Sequence, residues 1–148
     1  MSHILGSKLT EEHKKLFNEK EVTAVVATVS ENGYPNAAPM ALFYAPDSKI
    51  LRMSIGSMHE TYKNIKQNGK VVVSVMEDDD IAFSVKGECD IIKEKSDVND
   101  GMAVIEMKVD EVKKDTSPVA RITGGVEIEP RNEKSVNFLK GLAEELRG

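Results

Sequence analysis

The sequence predicts a mainly β fold, a β-barrel with peripheral helices built on antiparallel strands. Short runs rich in β-branched residues recur along the chain, and turn residues such as Asn32-Gly33 separate them. One stretch of helical spacing interrupts these runs. Because βαβ units need a helix between successive strands, the short spacing favours hairpins over a parallel sheet. A parallel doubly wound sheet is the weaker alternative.

The pattern predicts each element in turn. A short helix over 10–18 begins at Thr10, a typical capping residue, and a longer helical stretch lies between Gly56 and Gly69. Gly87 indicates a bulge, and Pro118 precedes the last strand. The predicted strands are 22–29, 34–45, 50–55, 71–76, 81–92, 105–109 and 119–128. A C-terminal helix after Pro130 has an apolar stripe of Val136, Leu139, Leu142, Ala143 and Leu146.

Composition and charge limit the classes of function. With 148 residues, 40% hydrophobic and 30% charged, the chain has the composition of one globular domain spanning 1–148. Its formal charge of -5 and seven aromatic residues disfavour nucleic acid and anionic lipid as partners. No apolar run approaches the roughly 20 residues of a membrane span, and a signal peptide is not evident at the start. We therefore expect a cytoplasmic protein without a membrane partner.

Several common sites have no support in the sequence. The single cysteine, Cys89, has no partner for an intramolecular disulfide and no neighbours at metal-site spacing, so we expect a buried, inert thiol and no metal. The chain also lacks G-x-x-x-x-G-K-[ST], G-x-G-x-x-G after a strand and G-x-S-x-G. Nucleoside triphosphate, dinucleotide and hydrolase-elbow sites are therefore not predicted.

One segment, 52–65, has the features of an anion site. A strand runs into Gly56-Ser57 and a helix follows, so backbone N–H groups, hydroxyls of Ser57 and Thr61, and the helix dipole can converge on one phosphate. Lys63, Lys66 and Lys70 against Glu60 give a local charge of +2. The alternative is that Ser57 only caps the helix and that the lysines form its solvated face.

The order of several short motifs resembles the FMN-binding split-barrel family, which includes pyridoxamine 5'-phosphate oxidase. The resemblance rests on 26–29, Asn-Gly-Tyr-Pro at 32–35, Pro39-Met40, 53–65 and 71–75, and it covers about a third of the chain. The segment G-x-M-H-x-T-x-x-N at 56–64 is most similar to small FMN-binding proteins of sulfate-reducing bacteria. The resemblance implies a six-stranded antiparallel split barrel that forms a homodimer, with FMN at the subunit interface.

The same resemblance implies a cofactor-binding set of ten residues. Pro39 and Met40 would border the flavin ring, and Ser54 and Ile55 would line the ribityl chain. The phosphate would be surrounded by Gly56, Ser57, His59, Thr61 and Asn64, with Lys63 supplying positive charge one helical turn away. Taken individually, Asn64 could instead fix a helix-to-strand contact, and Met40 could be ordinary core filling.

The implied function is that of an FMN-binding flavoprotein, which transfers electrons or reduces a substrate through the flavin. One departure from the family pattern is Glu60, which stands where relatives often have lysine before the motif threonine. Because of Glu60, two alternatives remain: a split barrel that binds haem or a deazaflavin, and a split barrel that acts only as an interaction domain. Oxidation of pyridoxamine phosphate is a further alternative, but outside 56–64 no other group of Gly, Ser, Thr and Arg could hold a phosphate dianion. The electron donor and acceptor are not predicted.

Overall fold

In a computed structural model, which describes residues 3–148, the chain forms a curled antiparallel sheet with helices packed around it. The mainly β prediction is confirmed. The strands of the described part are β1 (His3–Gly6), β2 (Ala24–Val29), β3 (Pro35–Met40), β4 (Phe43–Tyr44), β5 (Ile50–Gly56), β6 (Lys70–Glu77), β7 (Ile81–Lys93) and β8 (Met102–Lys114). The helices are α1 (Glu11–Lys15), which continues as a π-helical turn (Leu16–Lys20), α2 (Glu60–Gln67) and α3 (Glu133–Arg147).

The sheet path runs β3-β2-β6-β7-β8-β5-β4, and β1 pairs with β8 beside this path. β3 and β4 therefore lie at opposite ends of the path, although only Ala41 and Leu42 separate them in sequence. Three Cα–Cα steps of about 3.8 Å cannot span a flat seven-strand sheet, in which strands lie about 4.8 Å apart. The sheet must curl until its two ends meet, and this leaves a split in the barrel at residues 41–42.

Six of the seven predicted strand regions are present, and their details differ at two places. The region 34–45 divides into β3 and β4, because the chain changes partners from β2 to β5 at the split. β1 adds a strand that the pattern did not predict. The described residues therefore hold eight strands, where the pattern predicted seven and the resemblance implied six.

The predicted strand at 119–128 is wrong. Residues 115–132 are irregular and mostly exposed, with Val119 at 92% and Val126 at 58%. They pass the turn between β6 and β7, whose strands already have a partner on each side. Within residues 3–148 this segment forms no ladder with either strand, and Gly124-Gly125 weakens any strand that could form. We call residues 116–131 the strap.

The core lies inside the curl, where alternate residues of the long strands meet. Val26, Leu51, Val73, Val85 and Ile105 are completely buried. Phe17, also buried, packs against the rings of Phe43 and Phe83 and closes one end of the barrel. Cys89 belongs to this core, and burial raises the pKa of its thiol to about 12, so the thiol is neutral as predicted.

Gly87 lies at a bulge, as predicted. The register between β7 and β8 shifts between Lys86 and Gly87, and a Cβ on Gly87 would lie 2.2 Å from the carbonyl oxygen of Lys108. A larger residue would push the two longest strands of the sheet apart.

The predicted cap of the first helix is also present. The Thr10 hydroxyl accepts a hydrogen bond from the His13 N–H at 3.2 Å, and the Thr10 N–H donates to His13 Nδ1 at 3.1 Å. The His13 ring is buried and stacks on Phe83 at 4.1 Å between centroids. His13 therefore joins the cap to the core in its neutral form.

This arrangement makes stability depend on pH. Burial lowers the pKa of His13, against a weaker opposing effect of Glu12. Above the unfolded pKa of about 6.5 both states are neutral, but below it the unfolded chain takes up a proton first and stability falls. We expect the free energy of unfolding to decrease more between pH 7.5 and 5.5 in the wild type than in His13→Gln, by at most about 1.4 kcal/mol for each pH unit.

The comparison uses urea titrations at both pH values. Glutamine at this position can still accept the Thr10 N–H, as in an ordinary capping box, so the variant keeps the helix start. Equal pH dependence of the two proteins would contradict the assignment to His13.

Candidate functional site

The predicted anion site lies where β5 ends and α2 begins. β5 ends at Gly56, and α2 begins at Glu60 with His59 as its N-cap. Within residues 3–148, no side chain caps this helix. The N–H groups of Tyr62 and Lys63 donate to the His59 carbonyl at 3.1 and 3.3 Å, which leaves those of Glu60 and Thr61 without an acceptor in the described chain. The positive end of the helix dipole adds to these donors, so the end of α2 has the chemistry of an anion site.

The loop that leads into α2 is held in place by two close contacts. The N–H and the hydroxyl of Ser57 both donate to the Gly101 carbonyl, at 2.9 and 3.0 Å. A Cβ on Gly56 would lie 2.9 Å from Cδ2 of the His59 ring, so a side chain at position 56 would require this exposed ring to move. Ser57 therefore pins the loop and does not cap the helix, which excludes the simpler interpretation of this serine.

The helical spacing of Met58, Tyr62 and Ile65 predicts that they share one face of this helix, but the structure places Met58 outside it. It precedes α2 and is 95% exposed, whereas Tyr62 and Ile65 of the same predicted face are buried. The helix starts one turn later than the apolar spacing suggested, because Gly56 to His59 form the tight loop.

Thr61 and Asn64 fix α2 to the sheet. Both are almost completely buried, at 0% and 1% exposure. Asn64 Nδ2 donates to the hydroxyls of Thr28 at 3.0 Å and of Ser30 at 3.4 Å, and Asn36 Nδ2 donates to the Thr61 hydroxyl at 3.4 Å. Asn64 thus makes the helix-to-strand contact that was the simpler of its two interpretations. Its Oδ1 is buried and has no hydrogen-bond partner among residues 3–148.

The exposed side of α2 borders an open depression of about 550 Å3. Glu60 and Lys63 lie on its α2 side, and the hairpin between β2 and β3 supplies the other wall, including Tyr34 at 73% exposure. His59, in the loop between β5 and α2, is also exposed. Two exposed carboxylates, of Glu31 and Glu60, and one ammonium, of Lys63, therefore line this depression beside the start of the helix.

The four residues expected at the flavin ring and ribityl chain meet at the split. Pro39 and Met40 end β3, and the Ser54 N–H donates to the Leu42 carbonyl at 3.2 Å, two residues beyond Met40. Pro39 is exposed, whereas Met40, Ser54 and Ile55 are buried. The Ser54 hydroxyl is buried and, within the described chain, has no partner.

The strand β3 connects these two groups of residues. Asn36 near its start contacts Thr61 of α2, and Met40 at its end lies at the split. Four steps of about 3.3 Å separate the two residues by roughly 13 Å. Of the ten predicted residues, Pro39 and Met40 lie on β3, and Ser54, Ile55 and Gly56 end β5. The other five follow in the loop and in α2.

Sequence reasoning missed the polar residues that position α2. Thr28, Ser30 and Asn36 hold the helix through Asn64 and Thr61, and Gly101 holds the loop through Ser57. Asn36 was the available signal, since it is a polar residue in an otherwise apolar strand. Gly101 gave no signal, because its partner is 44 residues away in sequence.

A larger cavity, of about 840 Å3, shares no residue with the predicted site. This cavity lies between the strap, α3 and the start of β4. Ala41 and Leu42, which follow Met40 in the chain, are among the residues that line it. Within residues 3–148, no helix has the length and apolar character needed to cross a membrane.

Structural comparison shows that the fold recurs. A candidate pyridoxamine 5'-phosphate oxidase of Lactobacillus delbrueckii matches with a TM-score of 0.65 and 25% identity, covering 76% of this chain and 98% of its own. An FMN-binding protein of Syntrophomonas wolfei matches with a TM-score of 0.57 and 16% identity over 67% and 80% of the two chains. An F420 reductase matches with a TM-score of 0.59 and 20% identity, covering 70% of this chain and 98% of its own. These similarities confirm the split-barrel prediction.

Sequence comparison gives the family. An uncharacterized protein of Methanocaldococcus jannaschii is 35% identical over 89 residues, which are 59% of this chain. The chain spans about 58% of the length of this curated relative. The family model described as Pyridoxamine 5'-phosphate oxidase matches residues 9–137, which is most of the sequence. The chain belongs to the pyridoxamine 5'-phosphate oxidase family.

Proposed function

We propose that this protein binds FMN along β3 and acts as a flavoprotein in electron transfer or flavin-dependent reduction. The observation that carries the proposal is the uncapped start of α2, which one edge strand connects to the split in the barrel. Family membership and the FMN-binding protein of Syntrophomonas wolfei support it. The narrower similarity to FMN-binding proteins of sulfate-reducing bacteria stays a prediction.

The buried polar atoms of the site fit such a ligand. Buried polar groups normally have a partner, so the orphaned Ser54 hydroxyl and Asn64 Oδ1 are places where a ligand's polar groups would be accommodated. The Asn64 side-chain amide can also be flipped, so that its Oδ1 and Nδ2 exchange places. Both hydrogen bonds are then kept, because the hydroxyls of Thr28 and Ser30 can donate to Oδ1 as well as accept from Nδ2. An N–H donor would then take the place of the orphaned oxygen.

The proposed roles follow from exposure. At the phosphate end, the N–H groups of Met58, Glu60 and Thr61 would bind the anion together with the exposed side chains of His59 and Lys63, because the N–H groups of Ser57 and His59 already donate to Gly101 and Gly56. The buried side chains of Thr61 and Asn64 would hold α2 in position. At the split, Pro39 and Met40 would border the ring, and Ser54 and Ile55 would line the chain between ring and phosphate. A bound flavin supplies the hydride or electron chemistry, and the protein supplies orientation and a fixed electrostatic environment.

The affinity for FMN tests this assignment directly. Because the proposed site recognises the phosphate, we expect FMN to bind at least 10-fold more tightly than riboflavin, which is about 1.4 kcal/mol. Flavin-free protein is titrated with each compound by fluorescence quenching. Equal dissociation constants would remove the basis for a phosphate site at α2.

The charge at position 60 gives a second test. Glu60 lies in the first turn of α2 on the side of the depression, so its carboxylate opposes an anion there. Glu60→Lys replaces this repulsion by attraction across solvent, and we expect roughly 3- to 30-fold tighter binding of FMN at low salt. Riboflavin should not respond.

Glu133→Lys, on the exposed start of α3, provides the matched control for net charge. An equal gain in both variants would show a general effect of charge. An unchanged affinity in Glu60→Lys would place the phosphate elsewhere.

The proposed chemistry is electron or hydride transfer to and from the flavin, and pyridoxamine phosphate is not the proposed substrate. The cavity beside Met40 carries an excess of carboxylates, which does not suit a phosphate dianion. We expect dithionite, and a reduced nicotinamide if it is the donor, to remove the visible flavin absorbance anaerobically, and pyridoxamine phosphate to leave it unchanged. Loss of absorbance with pyridoxamine phosphate at a catalytic rate would overturn this assignment.

The absorbance spectrum of the purified protein separates the remaining alternatives. A flavin spectrum supports the proposal, whereas a haem band or the single near-ultraviolet band of a deazaflavin would replace FMN by another ligand. A colourless protein that also fails to take up FMN would favour a cofactor-free interaction domain.

We propose a homodimer in which a second copy covers β3. This strand has no neighbour on its outer edge, and Pro35, Ala37, Pro39 and the adjoining Tyr34 are exposed. Exposed apolar residues at a sheet edge are typical of an interface between copies. Sedimentation equilibrium is expected to give twice the 16.3 kDa of one chain, and a flavin-loaded monomer at micromolar concentration would contradict the proposal.

A further inference from the structure

The 840 Å3 cavity has the size and walls of a site for a small organic molecule. Ligand pockets commonly enclose about 300–1,000 Å3 and have mainly apolar walls with a few polar groups. Phe43 and Leu42 form one side of this cavity, Leu139 of α3 forms another, and Val126 and Ile128 of the strap form a third. The cavity therefore joins three separate parts of the chain.

Several exposed apolar side chains converge on this cavity. Val126, Ile128 and Val136 are 58%, 57% and 45% exposed, and all three line it. Isolated exposed apolar residues are common, but three around one concave space form a patch that a ligand would remove from water. The apolar walls thus favour an occupant with an apolar body.

The charges around the cavity favour a cation. Five carboxylates and three bases line it, which leaves an excess of two negative charges. Two of the bases are already engaged: Lys20 pairs with Glu77 at 3.4 Å and with Asp78, and Arg147 donates to the Asn18 carbonyl at 2.6 Å. Glu127 of the strap and Glu144 of α3 also line the cavity, and both are exposed. Their carboxylates would attract a bound cation.

The strap is fixed where it forms the wall. The Asp80 N–H donates to the Ile122 carbonyl at 3.0 Å, and the Ile122 N–H donates to the Asp80 carboxylate at 3.1 Å. A Cβ on Gly125 would lie 2.7 Å from both the Met76 carbonyl oxygen and Glu77 Oε1, so only glycine lets the strap lie this close to β6. An irregular connection of this length in a folded protein is usually functional.

We propose that this cavity binds an organic cation with a flat apolar body, such as an aromatic compound with a quaternary nitrogen. A segment of a second copy is the less suitable occupant, because a second chain also carries a net charge of -5. This site lies beyond the proposed flavin site and does not depend on it. Its position next to Met40 would bring a bound compound to the split in the barrel.

Three probes with the same bicyclic frame test the charge preference. N-methylquinolinium is a cation, quinoline is neutral at pH 7.5, and naphthalene-1-carboxylate is an anion. Equilibrium dialysis against the protein as purified, and again with added FMN, is expected to show one site that prefers the cation over the anion by about 10-fold or more. Equal or stronger binding of the anion would overturn the proposal.

Variants locate the site. Leu139→Trp fills the cavity and should abolish binding of the cation, whereas Val119→Trp places the same side chain on the strap outside the lining and should have no effect. Glu144→Gln should weaken binding about 3- to 10-fold, and Glu133→Gln, outside the cavity, should not. Leu142 and Leu146, the buried residues of α3, are unchanged in all four variants, and thermal unfolding checks that the variants fold.

Sedimentation of Leu139→Trp completes the test. If this substitution dissociates an oligomer and leaves probe binding unchanged, the cavity is an interface between copies and the proposal is wrong. A protein that binds the cation but takes up no flavin would overturn the proposed function and leave this inference in place.

Discussion

Residues 41 and 42 connect the two ends of the sheet, and this short connection determines the shape of the molecule. β3 pairs only with β2 and β4 pairs only with β5, so no ladder joins the ends across the split. The covalent chain holds them together instead, with help from the hydrogen bond between Ser54 and Leu42. Sheet twist allows such a curl, but the two-residue connection makes it obligatory.

The split also places the chemistry of the site. In a closed barrel every strand is paired on both sides. Among the described residues, β3 is paired only on the side of β2, so the N–H and C=O groups of its other side are free. Asn36 near the start of β3 contacts α2, and the Leu42 carbonyl, in the split that follows β3, accepts from the Ser54 N–H of β5. A long, flat ligand with an anion at one end matches that arrangement better than a compact one.

Much of this architecture could be predicted from the sequence because it depends on local signals. Thr10 caps α1, Gly87 lies at the bulge, Cys89 is buried and six strand regions are present, since each follows from periodicity or turn chemistry in a few residues. The split at 41–42 could not be predicted, because a strand that changes its partner retains the same β pattern. The strap was wrongly predicted as a strand because its apolar residues are typical of one, although in the described residues it pairs with no neighbouring strand.

Within the site, the local sequence pattern predicted which polar residues lie near the start of the helix, but not which groups each of them contacts. The spacing of Ser57, Thr61 and Asn64 gives three polar groups near the start of a helix, and all could in principle contact an anion. Burial divides them, because Thr61 and Asn64 are enclosed by hydrogen bonds to β2 and β3 while Ser57 is bound to Gly101. Those partners are 25 to 44 residues distant in sequence, so only the folded chain reveals them.

The positions of Glu60 and Lys63 show what these anchors achieve. With the buried face of α2 fixed by Asn64 and Thr61, the two charged residues can only point to the depression beside the helix start. The position of α2 is therefore set by neutral, buried hydrogen bonds, while the exposed charges would adjust the strength of binding at the proposed anion site. Substitutions at the surface can then change which anion binds without altering the fold, because removing a buried anchor costs about 1–3 kcal/mol of stability and changing an exposed charge costs little.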